Sequence, residues 1–136
     1  MSLIINKHLL SFKLILVLFF IVLSGCNYVT NNDEVEKVEV SKMNIHGDTN
    51  LIKTLRGKEM NAVLEISQKA KEQSDSIDMA YGDYEIEVHL NTGEKIKFTL
   101  YFSSAGTSGI VMKDPTFYSD LDKTDISNFK AALKNQ

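Results

Sequence analysis

Tyr84-Glu85-Ile86-Glu87-Val88-His89-Leu90-Asn91-Thr92-Gly93-Glu94-Lys95-Ile96-Lys97-Phe98-Thr99-Leu100-Tyr101-Phe102-Ser103 alternates apolar and polar side chains on either side of a glycine turn. Successive side chains of a strand point to opposite faces, so this period of two predicts a half-buried antiparallel hairpin over 84–103. The loop length sets its register. With Thr92-Gly93 alone as the loop, Val88 faces Lys97 and apolar residues meet polar ones. A three-residue loop, Asn91-Thr92-Gly93, sets Val88 opposite Ile96 and Ile86 opposite Phe98, which keeps the apolar set on one face. That loop also puts Gly93 where a left-handed backbone is wanted. The same register places Glu87 across from Lys97, a cross-strand pair that contributes about a few tenths of a kcal/mol. His89 falls on the polar face, beside Lys95 or Lys97.

Working outward, Glu34-Val35-Glu36-Lys37-Val38-Glu39-Val40 is rich in β-branched residues and predicts a first strand running to about Ile45. His46 to Asn50 is a turn cluster, and Leu51 to Leu55 a second short strand. A helix is expected over 57–73, where Met60, Val63 and Leu64 follow helical spacing and Ile66 and Ala70 extend the apolar face. Glu65 and Lys69 form an i,i+4 pair there. Ser74 to Gly82 reads as a polar loop and Ser103 to Gly109 as another. Ile110-Val111-Met112 and Thr116-Phe117-Tyr118 are short extended pieces separated by Asp114-Pro115. Thr124 or Asp125 caps a last helix over 124–134, with Ile126, Phe129 and Leu133 on one side. The expected fold class is α+β: an antiparallel sheet built around the hairpin, with two helices packed on one face.

The first 25 residues differ in kind. Leu14 to Leu23 is an unbroken apolar run of ten, preceded by Lys7, His8 and Lys13, with no acid in positions 1–25. A basic start and a short apolar core is the layout of a secretory signal. A permanent spanning helix needs roughly 20 apolar residues, and this run is too short for one. Leu23-Ser24-Gly25-Cys26 follows, and it resembles the lipobox of bacterial lipoproteins at all four positions. The resemblance implies that Cys26 receives a diacylglycerol on its sulfur, that the signal is cut before it, and that Cys26 becomes the mature N-terminus. Two acyl chains hold stably where one binds only marginally. Removing residues 1–25 takes away Lys7 and Lys13 and no acid, leaving 13 basic and 18 acidic side chains and a net charge of -5. Anionic lipid repels such a surface weakly, so the lipid must do the anchoring. Residues 27–33 form a polar tether spanning about 15 Å on average.

Composition removes several function classes. A single cysteine forbids a disulfide framework and any multi-thiolate metal site. A mildly acidic chain, -3 overall, lacks the basic stripe of a nucleic-acid binder. His46 in a turn and His89 on the hairpin are far apart, without a carboxylate at ligand spacing; both are expected to be solvated, and no metal site or cofactor is expected. Ser103 to Gly109 has the small residues of a phosphate loop but is followed by a strand and lacks the lysine and helix that such a loop needs. Asp120, Asp122 and Asp125 fail the calcium-loop spacing and are read as charges favouring a helix N-terminus. No Gly-x-Ser-x-Gly elbow is present. Small polar residues on a rigid hairpin and an aromatic on its polar face suit partner contact, so Tyr101, Ser104, Thr107 and Ser108 are the candidate contact residues.

Over about 34–134 the order resembles the YhfM-like domain of small Gram-positive lipoproteins. The features are a strand, the 57–73 helix, an acidic loop into Asp83-Tyr84-Glu85-Ile86, a glycine-centred turn, a second aromatic strand, Thr116-x-Tyr118 and a terminal helix. The resemblance implies a lipoprotein with no assigned catalytic residues. The expected function is therefore a membrane-anchored extracytoplasmic binding or interaction module, held through diacylglycerol on Cys26 and facing an envelope protein or ligand. The rival reading is a small cell-envelope hydrolase or wall-modifying enzyme. A paired carboxylate or Ser/His at about 3 Å in a cleft would favour the rival.

Overall fold

The computed structural model describes residues 34–134. The signal, Leu23, Ser24, Gly25, Cys26 and the tether lie outside the described residues. Seven strands form one antiparallel sheet: β1 (Val35–Met43), β2 (Thr49–Leu55), β3 (Lys71–Glu72), β4 (Tyr84–Leu90), β5 (Lys95–Phe102), β6 (Gly109–Asp114) and β7 (Phe117–Leu121). Their spatial order is β2-β1-β4-β5-β6-β7-β3. A 3-10 turn (Gly57–Met60) leads into α1 (Asn61–Gln68), and α2 (Lys123–Lys134) closes the described chain. The fold is α+β.

The hairpin has the register its loop length requires. Val88 pairs with Ile96, Glu87 with Lys97 and Ile86 with Phe98. The Leu90 amide donates to the Glu94 carbonyl and the Gly93 amide to the Leu90 carbonyl, closing a three-residue loop with Gly93 at φ +89. β1 then inserts beside β4, pairing Val38 with Val88 and Val40 with Ile86. Period 2 in both strands aims Val38, Val40, Ile86, Val88 and Leu100 at one core with Val63, Leu64, Ile126 and Phe129 of the helices. Phe129 is fully buried, its ring edge-on to Tyr84 at 5.1 Å and to Phe102 at 5.8 Å. Burying a side chain of this size stabilises by roughly 1.5–3 kcal/mol.

Three expectations need correction. The helix expected over 57–73 is a 3-10 turn and eight α-helical residues, ending at Gln68. Its last turn tightens through Lys69 and Ala70 amides donating to Ile66 and Ser67 carbonyls, three residues back. Lys71 and Glu72 then pair with Tyr118 and Phe117 as an edge strand. Apolar periodicity continues to Ala70 because Ala70 is buried, although the backbone has already left the helix. The first strand stops at Met43, not Ile45: the Asn44 side-chain oxygen accepts the His46 and Asp48 amides and turns the chain, leaving Ile45 85% exposed. The α2 cap is Asp122 rather than Thr124 or Asp125. Asp122 Oδ1 accepts the Asp125 amide and Asp125 Oδ2 the Asp122 amide, a reciprocal capping box.

β3 and β4 are separated in the sheet by three strands, so residues 73–83 must cross over β7, β6 and β5. Gln73 and Ile77 amides donate to Thr116 and Pro115 carbonyls at the start of that crossing, and the Asp83 amide donates to the Leu100 carbonyl at its end. Met79 meets Tyr101 and Ile110 on the way, on the face opposite the helices.

Candidate functional site

The face opposite the helices carries two distinct neighbourhoods. At the end of the sheet where β1 and β5 finish, Tyr101, Ser108, Met79, Ile110 and Asp120 line a shallow depression of about 340 Å³. A second depression, about 330 Å³, adjoins it through Met79 and Tyr101 and adds Met43, Tyr81 and Thr99. Tyr101 is half-buried, and burial pushes its phenol pKa up. Met79 and Tyr81 are exposed, at 37% and 63%. The 103–108 loop is a closed hairpin: the Ser103 amide donates to the Ser108 carbonyl, and the Gly106 amide to the Ser103 carbonyl, with Gly106 at φ +66. Of the four contact candidates, the structure brings Tyr101 and Ser108 into one depression. Ser104 and Thr107 are exposed at the loop tip and do not line it.

Nearer the opposite end, the open face is ionic. Glu39 of β1 and Glu87 of β4 are direct register partners, and Lys37 pairs with His89 beside them. His89 Nε2 lies 2.8 Å from Glu87 Oε1 and 3.1 Å from Glu39 Oε2. Lys37 bonds the other Glu39 oxygen, Oε1. Lys95 and Lys97 reach Glu87 at 3.2 and 3.4 Å, and Lys97 also reaches Glu85 at 3.4 Å. Like charges directly opposite destabilise a strand pair, and the lysines offset that here. The Lys37 bond holds the Glu39 carboxyl below its usual range. Burial pushes Glu87 up, but the Lys95 and Lys97 bonds outweigh it, and its pKa is also lowered.

The expectation that His46 and His89 are solvated holds for His46, which is exposed, and fails for His89, which is 9% exposed and held between two carboxylates. Its partner Glu39 is 50 residues away in the chain. The missed signal was the Lys37-x-Glu39 alternation in β1, which presents the charges once β1 is known to lie beside β4.

Across the helix-covered face, Lys69 bonds Asp125, tying the end of α1 to the start of α2. Burial pushes the Asp125 carboxyl up, yet the Lys69 and Asp122 bonds prevail and hold it below its usual range. Asp122 and Asp125 thus serve the helix start, as charge placement at an N-terminus requires, whereas Asp120, expected with them, lies in β7 opposite Ile110 and lines the Tyr101 depression.

A seven-stranded antiparallel sheet with two helices on one face, whose other face presents polar and aromatic side chains, defines an α+β domain. The family model described as YhfM protein matches residues 31–136, and the chain belongs to that family. Neither the curated proteins nor the solved structures contain a match to this chain.

Proposed function

We propose that the chain is a lipid-anchored extracytoplasmic lipoprotein of the cell membrane whose folded part is a non-catalytic binding module. The Leu23-Ser24-Gly25-Cys26 tetrad at the end of a ten-residue apolar run supports the anchor. Among the described residues, no helix is long and apolar enough to cross a membrane. In this reading a diacylated Cys26 carries the attachment. The polarity of β1 carries the reading of the surface. The chain enters β1 at Val35, at the end of the sheet shared with the Asn91-Thr92-Gly93 turn, where the Asn91 amide donates to the Glu34 carbonyl. Tyr101, Ser108 and the 44–48 turn lie at the other end, about 27 Å away along nine strand residues. A tether joined at Glu34 attaches at the end of the sheet away from the aromatic corner, which leaves that corner accessible to an envelope protein or ligand.

The rival, an envelope hydrolase, draws on His89 lying about 3 Å from carboxylates. The bonded partners of its Nε2 are two glutamates, each also bonded by lysine. The two glutamates are the carboxylate pair that the rival asks for, yet lysine bonds hold both carboxyls below their usual range, where a hydrolase of that kind needs one raised to act as general acid. The decisive test is labelling of cells with radioactive palmitate. The wild-type chain takes up label, and Cys26→Ala takes up none and accumulates as precursor; label on Cys26→Ala refutes the anchor. Crosslinking of the lipidated protein in intact cells, repeated with Tyr101→Ala and with the 104–108 loop replaced, reads the contact surface. Unchanged products in both variants refute that surface.

A further inference from the structure

The ionic cluster on the open face has donor chemistry that hydrogen bonding alone does not use up. Glu39 and Glu87 stand opposite each other on neighbouring strands, and His89 sits two residues further along on the same face. One oxygen from each carboxylate and the His89 nitrogen lie within 4.8 Å of one another. Donors around a tetrahedral zinc with bonds of about 2.0 Å stand about 3.3 Å apart. The Nε2 separations of 2.8 and 3.1 Å are close to that spacing, so small side-chain movements admit an ion.

The surrounding lysines orient the set. Lys37 bonds Glu39 Oε1, which leaves Oε2 turned to His89; Lys97 reaches Glu87 Oε2, which leaves Oε1 turned the same way. Carboxylates held by their outer oxygens, with the inner ones converging on an imidazole, reproduce the outer-shell support that metal ligands ordinarily have. Lys95 alone shares an inner oxygen, Glu87 Oε1 at 3.2 Å, and its side chain is 57% exposed and free to withdraw into solvent. Strand pairing holds the three residues side by side on one face, and both glutamates and His89 are largely shielded, at 11–23% side-chain exposure.

We propose that Glu39, Glu87 and His89 form a binding site for a first-row divalent transition ion, of which zinc is the representative. One imidazole and two carboxylates suit such an ion, whereas calcium and magnesium take all-oxygen shells. In the metal-free chain Nε2 faces two carboxylate acceptors and carries a proton towards them; coordination uses the bare Nε2 lone pair, so the ion displaces that proton and leaves a neutral imidazole protonated on Nδ1. Three protein donors on a face open to solvent leave a fourth position for water or for a group of a bound partner. The site is independent of the lipid anchor and of the Tyr101 corner.

The test uses the full-length chain in detergent with Cys26→Ser in every sample, which removes the single thiol, after stripping with a chelator. Zinc is titrated calorimetrically and in competition with a chromogenic chelator. The expected result is one zinc per chain and a rise in Tm on loading, as binding to the folded state requires. His89→Gln and Glu39→Gln weaken binding by roughly tenfold or more, and His46→Gln leaves it unchanged. X-ray absorption of the zinc-loaded chain reads the donor set without any ligand variant, and one imidazole among oxygens is expected. Absence of stoichiometric zinc, binding in His89→Gln equal to wild type, or a spectrum with no imidazole overturns the proposal.

Discussion

Ile86 and Glu87 are neighbours in the chain and serve opposite sides of one sheet. Ile86 is fully buried with Val40, Leu100 and the helices, where stability comes from apolar area and close packing. Glu87 lies among Lys95, Lys97 and His89, where charges are partly wet and attraction is set against desolvation. A defect on the first side leaves a void that the surroundings fill only in part. A defect on the second is repaired by water. The helix-covered face should therefore be intolerant and salt-insensitive, the open face tolerant and salt-sensitive, and a series of variants measures how sharply the two differ.

The largest effect is expected at Phe129→Ala, which empties the site between Tyr84 and Phe102. It should cost about 3–5 kcal/mol in urea denaturation, with no dependence on salt. A loss under 1 kcal/mol would mean the helices do not build this core. Next comes Asp125→Ala, which removes half of the capping box and the Lys69 bond and should cost about 1–2 kcal/mol. Because the folded pKa of Asp125 lies below its ordinary 3.8, its contribution is complete above that value and is lost as pH falls through the folded pKa. Asp125→Asn should flatten the acid limb of the stability curve there, and an unchanged limb assigns the acid sensitivity elsewhere. Gly93→Ala, at φ +89, should cost about 1 kcal/mol through backbone strain alone, since nothing lies within 4 Å of an added Cβ. The smallest change is expected from Lys97→Met on the open face, about 0.5 kcal/mol or less, shrinking further at 1 M salt. A larger, salt-independent loss would mean that this face is packed like the core.

The same contrast governs what could be read from the sequence. Apolar alternation names a buried face without knowledge of its neighbour, so the hairpin, its register and its apolar set follow from residues 84–103 and the length of the loop. The role of His89 depends on which strand lies beside β4. That strand is β1, about 50 residues away, and no local pattern states it. Helix length failed for a related reason. Ala70 keeps the apolar period, but Lys71 and Glu72 are drawn to the β7 edge, a tertiary pairing that overrides the local tendency. Tyr101 and Ser108 fall together because β5 and β6 form a hairpin. Ser104 and Thr107 sit at its tip, since loop composition marks a loop and does not distinguish the residues that line a surface.

The central claim, that a lipid on Cys26 holds this domain at the membrane, is tested most directly by intact mass and N-terminal peptide mass spectrometry of the protein isolated from membranes. A chain beginning at Cys26 and carrying a diacylglyceryl thioether is the predicted result. A chain still beginning at Met1, or one with a free Cys26 thiol, would contradict it.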